Sequence, residues 1–247
     1  MSGCVQAEKG CQVNVFIGME ESQTIQRAFE ERGHHAWSCD FKPGRLNPSR
    51  HIQGNVHEEL RRLHWTPDLI ILHPVCRFLT VSGQHWTGKP GQRTEADREQ
   101  AVADFMLCTE YAGCVCIENP VGIMSTRWRK PDQIVQPYEF GDDASKLTCL
   151  WLQNLPLLLS TGQVEPRWVC CGLPLPMGVG KYGCPNCNGD NRPLPRWGNQ
   201  TDSGQNRAAP TPDPEERRAA RAVTYRGIAV AMAEQWGIYN FVSETQR

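Results

Sequence analysis

The stretch Leu69-Ile70-Ile71-Leu72-His73-Pro74-Val75-Cys76-Arg77-Phe78-Leu79-Thr80-Val81-Ser82-Gly83 decides how the rest of the chain is read. Four consecutive apolar residues, Leu69 to Leu72, form the pattern of a strand buried on both faces, as in a parallel sheet. Pro74 stops the run, because proline has no amide proton to give to a central ladder. Cys76 then lies just beyond the strand, where open α/β sheets place their ligands. A thiol there can meet a substrate, whereas a thiol in mid-strand meets only side chains. Free cysteines are more often buried packing residues, so the surrounding sequence has to supply the context.

On the N-terminal side, Val13 to Ile17 is an apolar strand, and Gly18-Met19-Glu20-Glu21 leads into a helix. Ile25, Ala28 and Phe29 share one face of that helix and Gly33 ends it. Ala36 to Cys39 is a second strand, closed by Asp40. A polar, basic loop over Arg45 to Gln53, a short element near Ile52 to Val56 and a helix over Glu58 to Leu63 return the chain to Leu69. This strand–helix–strand alternation predicts an α/β, Rossmann-like doubly wound sheet, whose first strand end and following turn hold a cofactor.

On the other side, Ser82 to Arg93 is rich in Gly, Lys and Arg, and reads either as an active-site loop or as a solvated connection. Thr94 to Tyr111 is helical. Cys114 to Ile117 is a strand that hands over Glu118-Asn119-Pro120, a carboxylate and a proline at a second strand end. Alone, Glu118 is equally a helix cap; beside Cys76 it reads as an active-site carboxylate. Ile134 to Tyr138 is a further strand, and the apolar set within Lys146 to Leu159 reads as core and interface packing. The basic residues Arg45, Arg50, Lys89 and Arg93 are candidates for phosphate contacts or for ordinary surface charge.

The chain has 247 residues, enough for one catalytic-size core plus a smaller appendage. Its formal net charge of -1 excludes a global basic footprint for nucleic acid, so any phosphate surface is local. No apolar run reaches membrane length, and the N-terminus lacks an apolar signal core. The twelve cysteines are scattered, which favours thiols and a metal site over a disulfide framework. The expected organisation is a core over 12–160, a small Cys-rich module over 161–197, a linker or mobile loop over 198–214 and helices over 215–240 that complete the core. The module carries Cys170-Cys171 and Cys184-Pro-Asn-Cys187. The second pair has knuckle spacing, and no histidine occurs after His85, so a four-ligand Zn(2+) site there needs all four thiols. Reduced free thiols are the other reading.

Taken in order, these stations resemble the DNA (cytosine-5)-methyltransferase family, closest to its small phage-type relatives. Pro74-Val75-Cys76 resembles the family's Pro-Pro-Cys nucleophile motif, and Glu118-Asn119-Pro120 its Glu-Asn-Val motif. Phe16-x-Gly18-x-Glu20-Glu21 resembles the opening Phe-x-Gly-x-Gly-Gly. Asp40 matches an acid that often holds the cofactor ribose, and Gly227-Ile228-Ala229-Val230-Ala231 resembles the closing motif. Phe140-Gly-x-x-x-x-Lys146-x-Thr-x-Leu-Trp-Leu and Thr224-Tyr-x-Gly-Ile-Ala resemble the phage subgroup. The likeness spans nearly the whole chain except the leader and residues 160–212. Four departures stand out: Glu20 and Glu21 replace two glycines, Asn55 stands where an acid near the adenine is common, Val75 replaces a proline, and no Gln-x-Arg-x-Arg occurs.

The resemblance implies S-adenosyl-L-methionine as cofactor and cytosine C5 in DNA as target. Cys76 would add to C6, Glu118 would bind N3 and the exocyclic amine, Asn119 would organise the pair, Arg77 or Arg129 would hold a phosphate, and Arg77 would also lower the thiol pKa. Phe16, Gly18, Met19, Glu20, Asp40, Asn55, Gly227 and Ile228 would line the cofactor pocket. In duplex DNA the base must first leave the stack. Two other readings stay open: pyrimidine C5 modification of a free nucleotide or RNA, and a methyltransferase-like nucleic-acid-binding or regulatory protein with a degraded cofactor pocket. The expected location is the cytoplasm of a bacterial or phage-infected host cell, with no membrane partner.

Overall fold

The computed structural model describes residues 12–81, 88, 93–171, 173–175, 193–207 and 212–238. Cys184, Cys187 and Lys89 lie outside the described residues. The chain builds one seven-stranded sheet from β1 (Asn14–Gly18), β2 (His35–Asp40), β3 (His51–Gln53), β4 (Leu69–Leu72), β5 (Cys114–Pro120), β6 (Gln133–Val135) and β7 (Thr148–Gln153), in the order β3-β2-β1-β4-β5-β7-β6. The first five run parallel; β7 is antiparallel to both β5 and β6. This mixed α/β sheet has the doubly wound, Rossmann-like order expected from the sequence.

Period-two alternation feeds both faces of the sheet, which is why β4 reads as an unbroken apolar run. Val15, Ile17, Leu69 and Ile71 point to one face, against α1 (Thr24–Glu30) and α6 (Arg226–Trp236). Phe16, Ile70 and Leu72 point to the other, against α2 (Val56–Arg62) and α3 (Glu95–Leu107). Trp236 and Phe29 are fully buried on the first face, each contributing about 1.5–3 kcal/mol by the usual area relation. Asn55 caps α2 through the amides of His57 and Glu58, and a Thr94–Asp97 capping box starts α3.

The strand order reverses between β1 and β4. Sequentially, β1 turns through α1 to β2 on one side, while β4 continues to β5 on the other. The His73 amide donates to the Gly18 carbonyl at 3.1 Å, tying the two strand ends together at this switch point.

Several expectations need correction. β5 runs to Pro120, so Glu118 and Asn119 lie inside the strand, because antiparallel β7 keeps pairing with them through Leu150 and Cys149. The 146–159 segment supplies that central strand as well as packing. The 134–138 strand is shorter, since Pro137 opens a 3-10 turn over Pro137–Glu139. Residues 198–207 are not a free linker: Gly198 donates to Asp143 at 2.7 Å, Asn199 to the Ser145 carbonyl at 2.9 Å, and Trp197 stacks on Tyr138. Between 161 and 197 the described residues form a small antiparallel sheet of β8 (Arg167–Cys170), β9 (Leu173–Pro174) and β10 (Leu194–Arg196). No separate Cys-rich module is shown among them. The remaining helices are α4 (Met124–Arg127) and α5 (Pro214–Ala222), and among the described residues no helix is long and apolar enough to cross a membrane.

Candidate active site

The strand ends at the switch point gather the chemistry. After Pro74 the chain makes a 3-10 turn over Cys76–Phe78, which lifts Cys76 out of the sheet. That turn is stitched to the loop after β5: Ile123 donates to Leu79 at 2.9 Å, Val81 to Val121 at 3.4 Å, and Thr80 bridges Gly122. A Cβ on Gly122 would run into the Leu79 carbonyl oxygen, so only glycine permits this approach. Asn119 adds a buried tie, its Nδ2 donating to the Pro74 carbonyl at 2.7 Å. Asn119 thus holds the loop that carries Cys76. Its Oδ1 is buried with no partner among the described residues.

Glu118 is 6% exposed and points to the opposite side of β5. His73 Nδ1 donates to its Oε2 at 2.6 Å, and the Thr224 hydroxyl reaches the same oxygen at 3.4 Å. Burial alone would raise the Glu118 pKa; the His73 hydrogen bond and charge, Lys146 and Thr224 outweigh it and hold the acid below its ordinary value. For His73 burial works against the cation, but Glu118 and the nearby charge of Glu20 prevail and raise its pKa. Each partner thus favours the charged form of the other.

Among the core cysteines, burial pushes Cys39 and Cys108 up to about 12 and Cys149 to about 11, marking them as packing thiols. Cys76 is half-buried. Its thiol is also pushed up, by burial and then by Glu118, while Lys146 and Arg93 act in the opposite direction. The cations that favour its thiolate are these two and not Arg77, as the sequence led us to expect. The Arg77 side chain is exposed and lies over the Phe78 ring, 5.2 Å from its centre.

The cofactor side is built by the turn between β1 and α1. Met19, in the left-handed region at φ 61°, donates its amide to the Cys39 carbonyl at 2.7 Å, folding the turn onto the end of β2. Glu20, 5% exposed, closes back on α1: its Oε1 accepts the Ile25 amide at 2.8 Å and its Oε2 the Gln26 amide at 3.5 Å. Burial raises the Glu20 pKa, with His73 and these amides pulling the other way. Gly18 is packed tightly, since a Cβ there would sit 2.6 Å from both Leu72 and Val56. Asp40 is half-exposed at the end of β2, accepting the Lys42 amide at 2.9 Å.

Other expected cofactor residues are placed deeper. Phe16 and Ile228 are buried in the two cores, the Asn55 side-chain oxygen caps α2, and the Gly227 amide donates to Asp142 at 2.8 Å. Of the basic candidates, Arg45 pairs with Glu21 at 2.8 Å and Arg50 with Glu30 at 3.5 Å, which removes them from the ready phosphate contacts. Three site residues escaped the sequence reading: His73, Lys146 and Thr224. His73 carried a usable signal, an ionisable residue directly after an all-apolar strand. Lys146 and Thr224 lay in quoted motifs, but nothing local placed them beside Glu118.

Against known proteins, neither a family model nor a curated protein is similar enough to the sequence to match it. Among solved structures the chain is distantly similar to the crystal structure of the S. pombe Dnmt2 methyltransferase, at 13% identity over 60% of this chain and with a TM-score of 0.39. It spans 51% of that protein's length. At that distance the strand order and side-chain geometry carry the reading, not the likeness.

Proposed function

We propose that the chain is an S-adenosyl-L-methionine-dependent methyltransferase acting on cytosine C5 in DNA through an adduct on Cys76. The observation that carries this reading is that the Cys76 turn is tied, through Asn119–Pro74 and Ile123–Leu79 hydrogen bonds, to the end of the strand that carries Glu118. Cys76 Sγ loses its proton and adds to C6 of the ring, with Lys146 and Arg93 favouring the thiolate. Glu118 would accept the exocyclic amine at the polar edge of the pyrimidine, and a proton passed through the His73–Glu118 pair would neutralise the ring nitrogen as the thiolate adds. C5 would gain the methyl group, the demethylated cofactor departing as a neutral thioether; the C5 proton would pass to water, and cleavage of the C6–S bond would restore the aromatic ring and the thiolate. The cofactor, when bound, supplies an electrophilic methyl group.

The turn residues fit such a cofactor in part. Asp40, half-exposed at its strand end, suits ribose hydroxyls. The N-terminal amides of α1 are already taken by Glu20, so this turn suits the amino end of the molecule better than its carboxylate. Arg77, exposed beside the nucleophile, would meet a backbone phosphate. That Glu20 fills its own helix terminus is also what a degraded-pocket binding protein would show, and this second reading is tested by cofactor calorimetry.

A structural zinc is part of the proposal. Cys170 and Cys171 hold their sulfurs 3.7 Å apart, helped by the left-handed backbone of Cys171 at φ 55°. Two thiolates on one tetrahedral zinc stand about 3.8 Å apart, given a Zn–S distance near 2.3 Å. Among the described residues no group of three or more ligands occurs; Cys184 and Cys187 would complete the set.

Incubating the protein with cofactor and DNA containing 5-fluorocytosine should yield a covalent complex stable to denaturation. A folded protein that binds the cofactor but is never trapped on this DNA overturns the assignment.

A further inference from the structure

His73 stands directly after β4, and its imidazole is only 12% exposed. Its Nδ1 engages Glu118 Oε2 at 2.6 Å, and Thr224 reaches that same oxygen from the segment before α6. Among the described residues, both hydrogen bonds of the carboxylate fall on Oε2 and none on Oε1. A carboxylate gripped by one oxygen presents the other in a fixed direction, and as an acceptor. The second imidazole nitrogen, Nε2, is buried with no partner among the described residues. A polar atom kept so is costly, and packing alone would favour an apolar side chain at this position.

We propose that His73 is the positioning residue of the site: by holding Glu118 Oε2 it presents Oε1 to the pyrimidine as the acceptor for an exocyclic amine. This rests on the base-modifying reading above, but the grip itself exists without substrate. The charges facing the imidazole are Glu118 and Glu20, which support its protonation, and Lys146, which opposes it. Those facing Glu118 are His73 and Lys146. Cys76 feels the Glu118 charge in turn. An ionised Oε1 accepts an amine proton; a protonated carboxyl would compete for the same hydrogen-bond geometry with a proton of its own. His73 therefore sets both the direction and the sense of the contact.

The test uses the full chain and two readouts. In NMR titration the His73 imidazole should lose its proton above its ordinary 6.5, and in Glu118→Gln its midpoint should fall by about one unit or more, because burial then acts without the pairing charge. In single-turnover methyl transfer, His73→Gln keeps a donor for Oε2 but no charge. Its acid limb should move to higher pH by about one unit, with thermal unfolding close to that of the wild type. His73→Phe, which removes donor and charge, should slow transfer roughly 100-fold while KM for DNA stays within about threefold. A His73 midpoint indifferent to Glu118→Gln, or an acid limb unmoved in His73→Gln, overturns the proposal. A coupled titration in a protein never trapped on 5-fluorocytosine DNA keeps the His73–Glu118 pair and overturns the pyrimidine reading instead.

Discussion

Two acids face the switch point from opposite sides, and the protein treats them differently. Glu118, on the β5 side, is gripped through one oxygen by His73 and Thr224 and keeps the other available. Glu20, on the β1 side, spends both oxygens on the amides of its own helix. Both are almost fully buried, so burial alone does not mark a catalytic carboxylate. The balance decides: at Glu118 burial is outweighed by the His73 contact and the pKa is lowered, whereas at Glu20 burial outweighs His73 and the helix amides and leaves the pKa raised. One half of the site is arranged to act on a ligand, and the other half has folded part of its binding capacity into the scaffold.

The comparison breaks most completely at Cys76. Cys76→Ser should abolish trapping and methyl transfer, because a serine hydroxyl is not ionised at neutral pH without a strong base beside it. Its thermal midpoint should stay close to the wild type, since the side chain is half-buried in a turn outside the core. Full transfer by this variant would mean that the nucleophile lies elsewhere.

Glu118→Gln should slow turnover roughly 100-fold or more while base binding persists. It also removes a pH-dependent source of stability. The raised His73 pKa contributes stability that is complete below 6.5 and lost as pH rises through the raised value. The lowered Glu118 pKa contributes stability that is complete above 4.5 and lost as pH falls through the lowered value. The pair is worth most between 4.5 and 6.5, so the gap in thermal midpoint between wild type and Glu118→Gln should peak in that window. A gap independent of pH contradicts the ion pair.

On the other side, Glu20→Gln keeps an oxygen for the α1 amides but removes the charge. Calorimetry should show cofactor affinity falling about tenfold, the scale of one charge-assisted hydrogen bond. Tighter binding would show that Glu20 closes the pocket rather than receiving the cofactor's amino end. Glu20→Ala should further cost about 1 kcal/mol of stability, as for a lost helix cap.

The smallest effect on chemistry is expected from the metal. Elemental analysis should find about one zinc per chain, as a four-thiolate structural site requires. Its removal should lower the thermal midpoint and leave the trapping yield on 5-fluorocytosine DNA unchanged. A zinc-free preparation of unchanged stability would reduce Cys170 and Cys171 to ordinary thiols.

What the sequence disclosed follows from which forces are local. Leu69 to Leu72 announced a strand buried on both sides, and the proline after it marked where the ladder had to stop. The helix beginning at Thr94 was legible, but Asn55 was read as a cofactor residue and not as the cap of α2, whose start was placed at Glu58. The pairing of β5 with β7 was not legible, because no local feature says that residues 148–153 return antiparallel to extend the strand through Glu118. Nor was the basic loop's neutralisation, since Arg45 meets Glu21 only after the first turn folds back. His73 was visible as a residue but not as a partner, which required knowing that the ends of β4 and β5 lie side by side.

The Thr224 hydroxyl reaches Glu118 from 106 residues further along the chain, in the segment that opens α6. During synthesis Cys76, His73 and Glu118 all leave the ribosome well before that hydroxyl does. Until α6 arrives, the face of β1 that it covers, with Val15 and Ile17, stays open. A nascent chain at that stage carries an uncovered apolar face on an unfinished scaffold, the kind of species that aggregates. Late delivery of Thr224 thus ties completion of the acid's grip to closure of the apolar face, so the site matures only with the fold.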